Sequence, residues 1–187
     1  MGDKVIPVRV ALRIRPLNNK EQLEGCEECL RTIPVENQVI LGKDKAFTYD
    51  YVFCEKSHQV EIYETCVKTL LDSLFKGYNA TVLAYGQTGS GKTHTMGSGY
   101  TSLVCATHQD FENVGVIPRV LSDLFNTIEM EKQKEPEATF NVKVSFVEVY
   151  NEEIKVSFFY CRKGYVSMTT AVLSTRKSVY LPRTFLR

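Results

Sequence analysis

Residues 86–93 read Gly-Gln-Thr-Gly-Ser-Gly-Lys-Thr, a full G-x-x-x-x-G-K-[ST] match, and the chemistry those types support at that spacing is the cradling of phosphates. Glycines let successive backbone N–H groups turn inward with no Cβ in the way, so Gly89, Ser90 and Gly91 can line a concavity of partial positive charge. The Lys92 ammonium would reach β and γ oxygens, and the Thr93 hydroxyl would ligate Mg²⁺. The motif carries weight only between a strand and a helix. Thr81-Val82-Leu83-Ala84-Tyr85 is a short apolar run of strand type, and Thr93-His94-Thr95-Met96 suits the first turns of a helix whose start favours anions. The bland alternative is a glycine-rich turn with a surface lysine, which the flanks argue against.

Around this loop the pattern alternates strands with helices. Val8, Val10, Leu12 and Ile14 alternate with Arg9, Ala11, Arg13 and Arg15, which predicts a strand that Pro16 ends. Residues 39–41, a Gly42 turn, and the alternating Phe47, Tyr49, Tyr51 and Phe53 predict a small antiparallel element with an aromatic core. From Ser57 as N-cap, Val60, Tyr63, Val67, Leu70, Leu71, Leu74 and Phe75 recur at helical spacing until Gly77. Residues 97–114 read as a long loop. A second helix starts near Gly115 with Pro118 in its first turn and Ile117, Val120, Leu121, Leu124, Phe125 and Ile128 as its stripe, and the charged run before Pro136 ends it. Residues 140–150 predict a long strand, bulged near Val147. The order is that of a layered α/β domain.

With 187 residues, 43% hydrophobic and 24% charged, the composition is that of one globular domain, and no apolar run approaches a membrane span. The first residues lack the apolar stretch of a secretory signal, so the six cysteines are expected in a reducing compartment. Cys26 and Cys29 have metal-ligand spacing, but no second pair follows and no zinc site is expected. Residues 156–187 hold no Asp or Glu and six cations, Arg162, Lys163, Arg176, Lys177, Arg183 and Arg187. That break divides the chain into residues 1–155 and a basic tail, 156–187.

Five separated blocks resemble the kinesin motor domain, and most closely its kinesin-4, or chromokinesin, group. They are residues 8–17 (Val-Arg-Val-Ala-Leu-Arg-Ile-Arg-Pro-Leu), 47–53, 77–97 with the phosphate loop inside, 115–119 (Gly-Val-Ile-Pro-Arg) and 147–154. The resemblance implies an α/β, three-layer phosphate-loop NTPase fold of kinesin type with ATP and Mg²⁺ as ligands. It assigns Gly86, Gln87, Thr88, Gly89, Ser90, Gly91, Lys92 and Thr93 to the phosphates and metal, and sets Arg13, Arg15, Pro16 and His94 beside the adenine. A cation and a flat ring suit a purine through stacking and cation–π attraction; without the resemblance, Arg13 and Arg15 read as a solvated strand face. The implied partners are ATP or ADP and the microtubule, with no membrane and no nucleic acid, in the cytoplasm and cytoskeleton, with nucleus or spindle as further locations.

The resemblance runs from residue 5 to about 155 and covers less than half of a whole motor domain. Nothing later reads as the switch segments N-x-x-S-S-R-S-H or D-x-x-G, so the central sheet is expected to be incomplete and turnover by this chain alone is not expected. The competing expectation is a truncated, non-catalytic variant acting as an interaction partner or an unstable product of splicing or gene prediction. The tail is expected to form partial strand structure outside the motor pattern; the alternatives are that it replaces a missing strand, or that its cations grip acidic tubulin or nucleic acid.

Overall fold

A computed structural model describes residues 8–97, 113–150, 153–157, 172–175 and 179–180. The chain divides into two compact units, residues 1–57 and 58–187.

In the first unit, β1 (Ala11–Arg13) pairs in parallel with β5 (Tyr51–Phe53), Leu12 facing Val52 in the register. Between them lie α1 (Asn19–Leu23) and an antiparallel sheet of β2 (Leu30–Ile33), β3 (Gln38–Leu41) and β4 (Lys45–Thr48) in the order β2-β3-β4. The antiparallel element expected around Gly42 is therefore present as β3 and β4. Its aromatic core is not: Phe47 is 46% exposed, and Phe53, which is buried, belongs to the parallel pair. Asp50 makes the change of partner possible, since its carboxylate accepts from the Val10 amide at 2.7 Å and anchors the start of β1 to the turn before β5. The strand expected over residues 8–15 shortens to three residues because only those find a ladder.

The second unit opens with a helix interrupted by a wide turn: α2 (Gln59–Ile62), a π segment at Tyr63–Val67, then α3 (Lys68–Phe75). His58 holds the N-cap position expected for Ser57, without a side-chain bond. The extra residue of the π segment rotates the apolar face, so Ile62, Tyr63, Val67, Leu71 and Leu74 are buried while Val60, expected on the stripe, is exposed. Gly77 ends the helix at φ 90°, with Gly77 N–H donating to the Leu74 carbonyl and Tyr78 N–H to that of Ser73, a Schellman closure.

Residues 81–85 keep a strand's alternation in their burial. Val82 and Ala84 pack on the core while Leu83 and Tyr85 are exposed, but the strand expected there is not formed. Next come α4 (Lys92–Met96) and α5 (Val116–Lys134). The helix expected at Gly115 is present with Gly115 as N-cap, and it stops at the residue that precedes the Glu135-Pro136 pair, where proline disfavours helical backbone. Phe125, expected on its stripe, is 51% exposed; Val116, Pro118, Leu124 and Ile128 carry the contact. Residues 98–112 of the expected long loop lie outside the described residues.

Leu71, Leu74, Leu124 and Ile128 form one core, covered by Phe140 and Val142, which the sequence had suggested as strand residues. Tyr63, Val67, Met96 and Val116 form another. Finally β6 (Lys143–Tyr150), β7 (Glu153–Ser157), β8 (Val172–Thr175) and β9 (Val179–Tyr180) make an antiparallel sheet in the order β7-β6-β8-β9. Pairing from Phe146↔Ser157 to Tyr150↔Glu153 is continuous, so the bulge expected near Val147 is absent. No helix among the described residues is long and apolar enough to cross a membrane.

Candidate functional site

The glycines of residues 86–93 have the backbone their motif requires. Gly89 and Gly91 stand at φ 81° and 95°, where a side chain is disfavoured, and a Cβ on Gly86 would overlap the Ser90 hydroxyl. The Ser90 amide donates to the Gln87 carbonyl at 3.1 Å, which bends the loop back on itself. Gly91 is the N-cap of α4, and the Thr95 amide donates to the Gly91 carbonyl at 2.9 Å across the first turn. The amides of Lys92 and Thr93 precede that bond and have no acceptor within the helix, so they form its electropositive end.

Lys92 arches back over the loop, its ammonium donating to the carbonyls of Gly86 at 2.7 Å and Gln87 at 2.8 Å. A cation is thereby held within the loop by two of its carbonyls. Gln87, Thr88, Gly89 and Thr93 are exposed, leaving the concavity and the Thr93 hydroxyl open to solvent. Met96, at the other end of α4, is buried against Tyr63, Val67 and Val116, and this burial is worth about 2 kcal/mol in fixing the helix beneath the loop. These residues fit a polyphosphate with its metal: amides and an ammonium for the oxygens, and one hydroxyl for the cation.

His94 is set by a residue that motif reading passes over. Gln59, 3% exposed and the one buried polar side chain among the described residues, donates from Nε2 to the His94 carbonyl at 2.5 Å, and the same nitrogen lies 3.2 Å from His94 Nδ1. No periodic signal marks it. A buried polar residue at a helix start shows only through its partners.

Tyr63 is also buried, and its hydroxyl donates to Asp123 Oδ2 at 2.6 Å, tying the π segment to α5. Burial first, then the hydrogen bond to Asp123 and its charge, push the Tyr63 hydroxyl's ionisation well above the usual range. Where α4 ends, Gly97 at φ 81° meets Gly115 backbone to backbone. A Cβ on Gly97 would lie 3.0 Å from the Gly115 Cα, and one on Gly115 would overlap the Gly97 and Met96 backbones.

In the first unit, Arg13 is half-buried, and burial lowers its pKa. Arg15 forms a two-pronged bond with Glu21, NH1 to Oε2 at 2.7 Å and NH2 to Oε1, and NH1 also reaches the Pro16 carbonyl at 2.9 Å. Glu21 additionally closes a capping box with Asn18, whose side chain accepts from the Glu21 amide at 2.9 Å. The Arg15 bond, then the Asn18 amide, hold the Glu21 carboxyl down at about 2. Asn18 and Glu21 carry a sequence signature, N-x-x-E, that could have revealed α1. A cavity of about 110 Å³ beside Arg15, Pro16 and Leu17, walled by Glu27, Glu28 and Glu55, is smaller than the roughly 300 Å³ that ligand pockets begin at. Cys26 and Cys29 are exposed thiols, and no group of three metal-ligating side chains occurs among the described residues.

The family model of the kinesin motor domain matches residues 13–156. The chain is 55% identical over 152 residues to the chromosome-associated kinesin KIF4 of Xenopus laevis, covering 81% of this chain and 12% of that protein. It is 54% identical over 151 residues to the human chromosome-associated kinesin KIF4A, again covering 81% of this chain and 12% of that protein. To the mouse kinesin-like protein KIF21B it is 50% identical over 152 residues, 79% of this chain and 9% of that one. The chain thus spans about an eighth, or less, of the length of these relatives.

Proposed function

Since the chain belongs to the kinesin motor-domain family, we propose that it binds ATP or ADP with Mg²⁺ through residues 86–94, as the nucleotide-binding part of a microtubule motor. The observation that carries this reading is the Lys92 ammonium folded back onto the Gly86 and Gln87 carbonyls of a loop whose Gly89 and Gly91 have positive φ, at the start of α4. Gly86, Gln87, Thr88, Gly89, Ser90 and Gly91 would wrap the phosphates with their amides, Lys92 would exchange its two carbonyl partners for phosphate oxygens, and the Thr93 hydroxyl would take the metal. Mg²⁺ supplies charge neutralisation between phosphate oxygens when bound.

His94, Arg13, Arg15 and Pro16 are proposed on the base side. For Arg13, Arg15 and Pro16 this rests on the family resemblance alone; Arg15, with both terminal nitrogens engaged by Glu21, would offer a purine its planar face. The three-layer kinesin-type architecture, the division at residue 155, and a place on the cytoskeleton, spindle or chromosomes come from the same resemblance.

The test is a titration with a fluorescent ATP analogue and Mg²⁺, wild type against Lys92→Ala. Loss of one charge-assisted contact should weaken binding by roughly tenfold or more. Equal affinities of the two proteins would refute the site.

A further inference from the structure

We propose that Gln59 is a positioning residue for the nucleotide site, fixing the tautomer and orientation of the His94 ring. The inference rests on the reading of residues 86–94 as that site, and its geometry is independent of it. A carbonyl oxygen only accepts, so the Gln59 atom 2.5 Å from the His94 carbonyl must be the amide nitrogen. That nitrogen carries two protons and no acceptor lone pair. Its approach to His94 Nδ1 at 3.2 Å is therefore also a donation, and Nδ1 must be bare. The ring is neutral and carries its proton on Nε2.

Gln59 thus holds both the backbone and the ring of one residue on α4. It is 3% exposed, so losing either bond would strand a buried donor, and the two-point grip restrains the ring's rotation as a single bond would not. His94 follows Lys92 and Thr93 directly, so a grip on its carbonyl also steadies the turn that carries the phosphate contacts. A flat neutral imidazole in one orientation is the form suited to stacking on a purine.

Two variants of the full chain test this. Gln59→Met keeps the length and volume but donates nothing; Gln59→Glu keeps the shape but turns a donor into an acceptor, which requires a proton on His94 Nδ1. With ¹⁵N-labelled histidine, wild type should show the resonance pattern of a bare Nδ1 and protonated Nε2. Gln59→Met should average the tautomers, and Gln59→Glu should move the proton to Nδ1. Affinity for a fluorescent ATP analogue should fall about three- to tenfold in both, the worth of one hydrogen bond, while inorganic triphosphate, which has no base, should lose less. An unchanged tautomer in Gln59→Glu overturns the inference, as does an equal loss for triphosphate and ATP. If wild type binds no nucleotide, the site reading fails and Gln59's role at it falls too, whereas the tautomer, measured without ligand, still judges the grip itself. Failure of Gln59→Glu to fold leaves Gln59→Met as the deciding protein: a wild-type tautomer pattern in it refutes the proposal.

Discussion

The Lys92 ammonium lies 2.7 Å from the Gly86 carbonyl, so the first glycine of the loop aims an oxygen at the lysine six residues on. The aim depends on Gly86's backbone, φ 158°, and on the bare Cα that lets Ser90 sit against it. The closure thus gives the lysine two carbonyl partners that phosphate oxygens could replace.

A methyl group at Gly86 should disturb that closure. In Gly86→Ala the new Cβ meets the Ser90 hydroxyl and stands 3.2 Å from the Ser90 Cβ. The hydroxyl can rotate away and the Cβ cannot, so the loop widens. Affinity for the fluorescent ATP analogue should drop roughly tenfold, with a loss of stability of about 1–3 kcal/mol from the contact and the positive φ together. The double variant Gly86→Ala/Ser90→Ala removes the hydroxyl and should recover part of the affinity. No recovery would place the fault in the Gly86 backbone itself.

Gly115→Ala should also be costly, because its Cβ meets the Gly97 and Met96 backbones, which cannot turn aside. An expected loss of about 1–3 kcal/mol follows from overpacking. Gly42→Ala is the comparison: φ 67° strains the alanine, but nothing lies within 4 Å, so the cost should stay near 1 kcal/mol. Urea denaturation of the two variants separates collision from backbone strain. Equal costs would mean that the approach of Gly97 to Gly115 is not tight in solution.

How far the sequence could reveal these features depended on how local their causes are. The phosphate loop and α5 were readable because glycine placement, helical spacing and a proline stop act within a few residues. The parallel pairing of Leu12 with Val52 was not, since it joins segments 40 residues apart that look alike to any other strand. Residues 81–85 misled for the converse reason: their alternation is real in the burial of Val82 and Ala84, but the ladder depends on another segment. Val60 was misassigned because the π segment after it shifts the helical phase. Gln59 was invisible, being polar in sequence and buried in space, and its meaning lies wholly in His94.

Tyr63→Phe should expose the value of the bond to Asp123. The ring stays packed, but the 2.6 Å hydrogen bond to a carboxylate is lost, at about 1.5–3 kcal/mol. The pH dependence has a definite sign. Tyr63's ionisation is raised in the folded chain, so its contribution is complete below the ordinary tyrosine value of 10.0 and is lost as pH climbs above it toward the folded value. Melting of wild type and Tyr63→Phe should therefore differ steadily near neutrality and converge in strong alkali. A difference that grew with alkalinity would contradict the assigned hydrogen bond.

Deleting residues 171–187 tests what the basic tail does. The sequence alone set it outside the motor pattern, yet β8 pairs with β6 at Lys143↔Ser174, Val144↔Leu173 and Ser145↔Val172, and β9 extends the sheet. Three cross-strand pairs are worth roughly 1–3 kcal/mol in total, and their removal leaves one edge of β6 open to other chains. The shortened chain should melt at lower temperature and sediment increasingly as aggregate. Its affinity for nucleotide should hold within about twofold, because α4 and the phosphate loop take no part in that ladder and one altered neutral contact is the most the change could reach. An unchanged melt would show that the tail strands add nothing to the sheet; a lost melt together with lost binding would show that β6 supports the loop as well.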